Sequence, residues 1–213
     1  MPNGRARRAD AQKNYETLIR IAQDHLNSQG VSTSLEAIAR EAGVGVGTFY
    51  RHFPDRDHLI FAALNAQGEE LRAAAGHIRA AVATDERLDR WLAEVERYFN
   101  SYYGLPASLA HALADSHETP LAITCHEIIE LTDEFLVDAQ RAGAVRAGIC
   151  GRDLFDTILM VAWLESQVLK GQRGLDGVRD IIRNGYVIDG TSPAGAQESS
   201  RRPGPQPPLR IGL

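Results

Sequence analysis

The stretch EAGVGVGTFYRHF, residues 41–53, places Gly43, Gly45 and Gly47 at alternate positions, followed by Thr48, the pair Phe49-Tyr50, and Arg51 and His52. A glycine-rich run with a hydroxyl and cations after it has two chemical uses. It can cradle a phosphate where a strand ends and a helix begins, or it can turn one helix into another that lies on DNA. The segment before it, SLEAIAREA, carries Leu35, Ile38, Ala39 and Ala42 on one helical face, so no strand leads into the glycines. Thr33 followed by Glu36 reads as the capping box that opens this helix. Thr48 stands where a dinucleotide fingerprint needs its third glycine, and no Gly-Lys-Ser/Thr occurs. The helix-turn-helix reading accounts for the same residues: Gly43 ends the first helix in a left-handed conformation, Val44 returns to the core, and Gly45 to Thr48 open a short helix. That helix turns Phe49 inward and Tyr50 outward and stops at Phe53-Pro54.

Other chemistry-bearing residues form no comparable pattern. His111 and Asp115 are spaced for one helix face, with His117, Cys125 and His126 following, which keeps a metal-sensing protein open as an alternative. Three or four converging ligands are not demonstrated by that spacing, and no metal or cofactor is expected. Glu94, Glu96, Glu127, Glu130, Asp133 and Glu134 read as the solvated faces of amphipathic helices. No G-x-S-x-G or H-E-x-x-H set occurs, so no catalytic residue is assigned; a small all-α enzyme is the other alternative.

The elements that position these residues are helical almost throughout. Tyr15, Leu18, Ala22 and Leu26 share the inner face of a first helix that stops at Gly30. Asp55 caps a fourth helix that runs without proline through Leu59, Ala63, Leu64 and Leu71 towards Ile78, with Gly68 and Gly76 as points of give. Further helices are expected at about 84–103, 106–116, 119–142, 152–171 and 174–188. The fold class is all-α: an N-terminal three-helix helix-turn-helix domain joined by a long helix to a helical ligand-binding and dimerisation domain. The expected boundaries are a flexible basic arm at 1–9, the DNA-binding domain at 10–56, the helical body at 57–189 and a disordered tail at 190–213. Five of the nine prolines fall in that tail.

Charge is distributed to match. The chain has 213 residues and a net charge of −5, but residues 1–60 hold eight Lys/Arg against seven Asp/Glu, and the remainder fifteen against twenty-one. Arg5, Arg7, Arg8 and Lys13 sit together at the start of a basic-leaning head on an acidic body, the balance of a protein that touches DNA with one end. Two cysteines, Cys125 and Cys150, make no disulfide framework. No apolar run approaches a membrane span, and MPNGRARRADAQ is no signal peptide, so a cytoplasmic protein is expected.

Residues 10–60, with SLEAIAREAGVGVGTFYRHFPDRDHLI at their centre, resemble the DNA-binding domain of the TetR family of transcriptional regulators. The rest resembles the family in its helical architecture. The resemblance implies a homodimer on a palindromic double-stranded DNA operator, acting as a repressor released by a small-molecule effector. It implies phosphate contacts from Thr33 and Ser34, base-facing positions at Val46 and Thr48, backbone contacts from Tyr50 and His52, and a phosphate-binding role for Arg56. Lys13 and Arg51 complete the expected DNA set. Gly45 and Val46 depart from the polar or basic residues common there, leaving a valine suited to a thymine methyl. For the effector, the aromatics Trp91, Tyr98, Phe99, Tyr102, Phe135 and Trp163, with His111, are candidate pocket walls. Dimerisation is expected through the last two helices, using Leu154, Ile158, Val161, Val178, Ile181, Ile182 and Tyr186.

Overall fold

The computed structural model describes residues 4–114, 119–169 and 174–187. Ten α-helices account for them: α1 Gly4–Gln29, α2 Leu35–Glu41, α3 Val46–His52, α4 Arg56–Ala63, α5 Asn65–Ala81, α6 Thr84–Phe99, α7 Leu105–Ala114, α8 Pro120–Arg141, α9 Gly151–Leu164 and α10 Asp176–Tyr186. A short π-helical run, Glu165–Leu169, prolongs α9. Among the described residues the only extended pairing is the single antiparallel bridge between Val145 and Val187. The all-α expectation holds. The proposed tail at 190–213, together with Asp115 and His117, lies outside the described residues.

Two apolar cores divide the chain. The smaller one gathers Leu18, Ile21 and Ala22 of α1, Leu35, Ile38 and Ala39 of α2, Phe49 and Phe53 around α3, and Leu59 of α4. Phe49 and Phe53, both essentially inaccessible, pack with ring centroids 5.4 Å apart, and Tyr15 stacks on Phe53 at 5.7 Å. The larger core is built on α8, which lies against α4, α6, α7 and α9. α10 is held to α6 through polar groups: Arg179 pairs with Glu96 at 2.5 Å and with Glu165 at 3.2 Å, Arg183 with Asp89 at 2.7 Å, and the Tyr186 hydroxyl donates to Asp89 at 3.1 Å.

Two features differ from the sequence-based expectation. The first helix reaches back to Gly4, into the stretch expected to be a flexible arm, because ARRADAQKNYETL contains no helix breaker. The expected long fourth helix is two helices, broken at Leu64 and not at Gly68 or Gly76. The Ala63 carbonyl at the break accepts from the Gln23 side chain at 3.0 Å and from the Tyr102 hydroxyl at 3.3 Å. Side-chain donors from α1 and from the α6–α7 loop thus reach the carbonyl at the end of α4, a substitution that no helical periodicity reveals.

The α1–α2 turn also docks on that loop directly. Gly30 adopts φ +76°, and a Cβ there would lie 2.6 Å from the Tyr103 carbonyl oxygen. The Val31 amide donates to that same oxygen at 2.9 Å. Gly104, at φ +82°, faces back, and its Cβ would meet the Val31 side chain at 2.9 Å. Gly30→Ala is expected to cost about 2 kcal/mol or more, from left-handed strain plus the backbone clash, whereas Gly76→Ala on the open face of α5 should stabilise by about 0.5–1 kcal/mol. Chemical denaturation of the two variants checks the contrast.

Candidate nucleic-acid interface

The turn between α2 and α3 is built by its glycine. Gly43 takes φ +67°, its amide donates to the Arg40 carbonyl at 3.1 Å, and the Val44 amide donates to the Ala39 carbonyl at 3.0 Å. This paired closure satisfies the last carbonyls of α2 and turns the chain into Gly45, which opens α3 without a side-chain cap. With Phe49 buried, α3 turns Val46, Gly47, Thr48, Tyr50, Arg51 and His52 to solvent. Val46 and Tyr50 are 48% and 38% exposed, an apolar and an aromatic side chain presented on one helical face. Lys13 is exposed on α1.

The start of α2 departs from its expected capping. Ser34, not Thr33, caps the helix: its Oγ accepts from the Ala37 amide at 3.1 Å. Thr33 is buried at 3% exposure, with its Oγ 3.1 Å from His25 Nδ1 and donating to Gln29 Oε1 at 3.3 Å. The other ring nitrogen of His25, Nε2, lies 2.8 Å from the Glu41 carboxylate, so one buried imidazole ties both ends of α2 to α1. Thr33 therefore works inside the domain, and of the two hydroxyls expected to meet phosphate only Ser34 is at the surface.

Arg56 likewise has an internal task. Its Nη1 donates to the Val31 carbonyl and, at 2.7 Å, to the Thr33 carbonyl, so it clamps the α1–α2 turn to the start of α4. Both bonds leave the same nitrogen, whose two N–H groups each reach one carbonyl. Asp55 caps α4 as expected, accepting from the His58 amide at 2.9 Å, and its carboxyl is held below the usual range by hydrogen bonds from His58 that outweigh its partial burial. Tyr50 is exposed but not idle, since its hydroxyl donates to Glu36 Oε1 at 3.1 Å.

The aromatic set expected to line a pocket separates into two groups. Trp91, Tyr98, Phe99, Tyr102 and Phe135 are each 4% exposed or less and fill the core. Trp91 stacks on Phe135 at 5.2 Å, and its Nε1 donates to Thr132 Oγ1 at 2.8 Å. Phe99 meets Phe155 edge-on at 5.0 Å, a partner that α9 supplies. Close packing leaves these rings no room for a guest, because each fills the space left by its neighbours. His111 and Trp163 lie elsewhere, on a furrow of about 510 Å³ between α7 and α9, with Pro106, Ala110, Leu159 and Met160. Of the candidate metal residues that are described, Cys125 is buried and its thiol pushed up to about 12 by burial, while the exposed His126 bonds its own helix at the Ala122 carbonyl. Among the described residues no group of three or more His, Cys, Asp or Glu could hold a metal ion, and no helix is long and apolar enough to cross a membrane.

A helix-turn-helix unit with an exposed second helix, mounted on a helical body, defines a DNA-binding regulator. The family model for bacterial regulatory proteins of the TetR family matches residues 18–63, and that for the C-terminal domain of SbtR-like transcriptional regulators matches residues 83–186. The chain belongs to the TetR family of transcriptional regulators. An HTH-type transcriptional regulator of Staphylococcus aureus is 40% identical over 55 residues, which is 25% of this chain and 30% of that protein. The chain therefore matches less than a third of that relative's length. Among solved structures, a TetR transcriptional regulator from Streptomyces coelicolor is 27% identical with a TM-score of 0.53, over 81% of this chain and 97% of that one. A gamma-butyrolactone receptor described as ArpA-like is also 27% identical with a TM-score of 0.53, over 84% and 90%.

The clamp at Arg56 is testable against a purely electrostatic role. Arg56→Ala should destabilise the fold by about 1–3 kcal/mol, because two carbonyls lose a charged donor, while Arg51→Ala on the open face should change stability by under about 0.5 kcal/mol. Thermal unfolding of the two variants distinguishes the roles.

Proposed function

We propose that this chain is a ligand-responsive repressor that binds a palindromic operator as a homodimer. The observation that carries the reading is the exposed face of α3, where Val46, Thr48, Tyr50, Arg51 and His52 stand free of the core while Phe49 and Phe53 fix the helix from behind. Ser34, Tyr50, His52 and Lys13 are phosphate-binding groups that set register; Val46 and Thr48 face base edges. One such helix per chain makes few phosphate contacts, so two copies are needed for tight, specific binding, with half-sites about one helical turn, ~34 Å, apart.

The dimer forms through the outer faces of the last two helices. Leu154, Ile158, Val161 and Tyr186 of the expected contact set are buried within the chain's own fold, so the contact falls to other residues. Met160 and Trp163 of α9 and Val178 and Ile181 of α10 leave apolar side chains in solvent, Ile181 at 74% exposure. The effector is a small, largely apolar molecule with a polar group. Support comes from the apolar furrow holding His111 and Trp163, and from the 27% identity to a gamma-butyrolactone receptor.

A duplex enriched from a random-sequence pool by the wild-type protein supplies the operator. Tyr50→Phe should weaken retention of every duplex, and Val46→Ala, which withdraws two methyl groups from a thymine methyl, should relax base preference at one position per half-site at a cost of about 1 kcal/mol for the preferred base. A wild-type protein that enriches no sequence would refute the reading. Ile181→Glu combined with Met160→Glu should leave the chain folded and shift its mass in sedimentation velocity from a dimer to the 23.3 kDa of one chain. Operator affinity should fall with it.

A further inference from the structure

Glu36 lies in the first turn of α2 and is exposed, yet both of its carboxylate oxygens are engaged. Oε2 accepts from the Ser34 hydroxyl at 2.9 Å, and Oε1 accepts from the Tyr50 hydroxyl at 3.1 Å. The two donors come from separate segments, the start of α2 and the middle of α3, and the carboxylate bridges them at the edge of the α3 face. These are two of the surface groups assigned above to phosphate. A carboxylate oxygen and a phosphate oxygen ask the same thing of a hydroxyl: each is an anionic acceptor.

Resting on the operator-binding reading, we infer that Glu36 is an internal competitor of the DNA backbone. In the free protein it occupies the hydroxyls of Ser34 and Tyr50 that a phosphate would take. On DNA it must release them or remain as a negative charge beside the phosphate. The cost is the same for every sequence, so Glu36 lowers attachment to bulk DNA as much as to the operator and keeps the protein from being held by its electrostatics alone.

The electrostatics of the pair agree. The Glu36 carboxyl is held below its usual range by its own backbone amide and by the Ser34 and Tyr50 hydroxyls, while the hydrogen bond to Glu36 raises the Tyr50 phenol. The carboxylate is charged at neutral pH. Arg56, whose charge also acts on both groups, is committed to the Val31 and Thr33 carbonyls and does not bridge to Glu36.

The test is Glu36→Gln, which keeps the length and a hydrogen-bonding oxygen but removes the charge, with Glu36→Ala as a second variant should the amide disturb folding. Affinity is measured over a series of salt concentrations on the duplex enriched by the wild-type protein and on an unrelated duplex of equal length. Removing one charge a few ångströms from a phosphate should tighten binding to both duplexes about fivefold at low salt, with the gain shrinking as salt rises. Tyr50→Phe should then cost more in the Glu36→Ala background than in the wild type, because no side-chain acceptor at position 36 then diverts its hydroxyl. A variant that folds but binds no tighter than wild type at any salt concentration, or a Tyr50→Phe loss of equal size in both backgrounds, overturns the inference and leaves operator binding intact. A wild-type protein that enriches no duplex overturns the operator reading instead.

Discussion

The carbonyl of Ala63 is where the protein is joined. A helix broken at Leu64 leaves that oxygen in the interior, where an unmatched acceptor costs about 1–3 kcal/mol. Gln23 reaches it from α1 and Tyr102 from the loop between α6 and α7, so the DNA-binding unit, α4 and the body meet on one atom. Gln67 follows in the first turn of α5, and its Oε1 is buried without a hydrogen-bond partner among the described residues. Few groups hold the junction, and each comes from a different element.

A second contact runs beside it. The Val31 amide and the Tyr103 carbonyl pair across two facing left-handed glycines, an approach too close for any side chain at Gly30 or Gly104. On its far side the Tyr103 hydroxyl donates to Gln167, and Asn100 to Glu165, both in the π-helical run that follows α9. The α6–α7 loop therefore lies between the reading unit and the helix whose outer face carries Met160 and Trp163. A change at that face has a short polar route to the α1–α2 turn, alongside the route through α4.

Surface charge pairs do a different job. Arg72 with Glu127, Arg97 with Glu70, and Arg79 with Glu134 tie α5 to its neighbours, while Arg72–Glu69 and Arg97–Glu94 lie within single helices; such exposed pairs contribute about 0–1 kcal/mol each. Arg79 also lies over the Phe135 ring at 4.8 Å, so its apolar stem and charge seal the edge of the aromatic core. The contacts of α10 are of the same polar kind, with Ile182 and Tyr186 supplying its apolar anchorage. A helix attached this way leaves its apolar outer face for another surface.

What the sequence determined by itself is whatever depends on neighbours along the chain. The helical class, the glycine turn after Ala42, the cap at Asp55 and the inward turn of Phe49 each follow from spacing over three to seven residues, and all stand in the structure. What only the tertiary structure decided is which of several eligible groups faces solvent. Thr33 and Ser34 are adjacent hydroxyls, and the one nearer His25 went inside; Arg56 had carbonyls from a turn 23 and 25 residues away within reach of its Nη1. Trp91 and Trp163 look alike in sequence, but one fills the core and the other lies on an open furrow. The break at Leu64 has no signal of its own, because its freed carbonyl is satisfied by Gln23 and Tyr102, each about 40 residues away. Local periodicity says that a residue is apolar or polar-faced; only the partner brought by folding says what it touches.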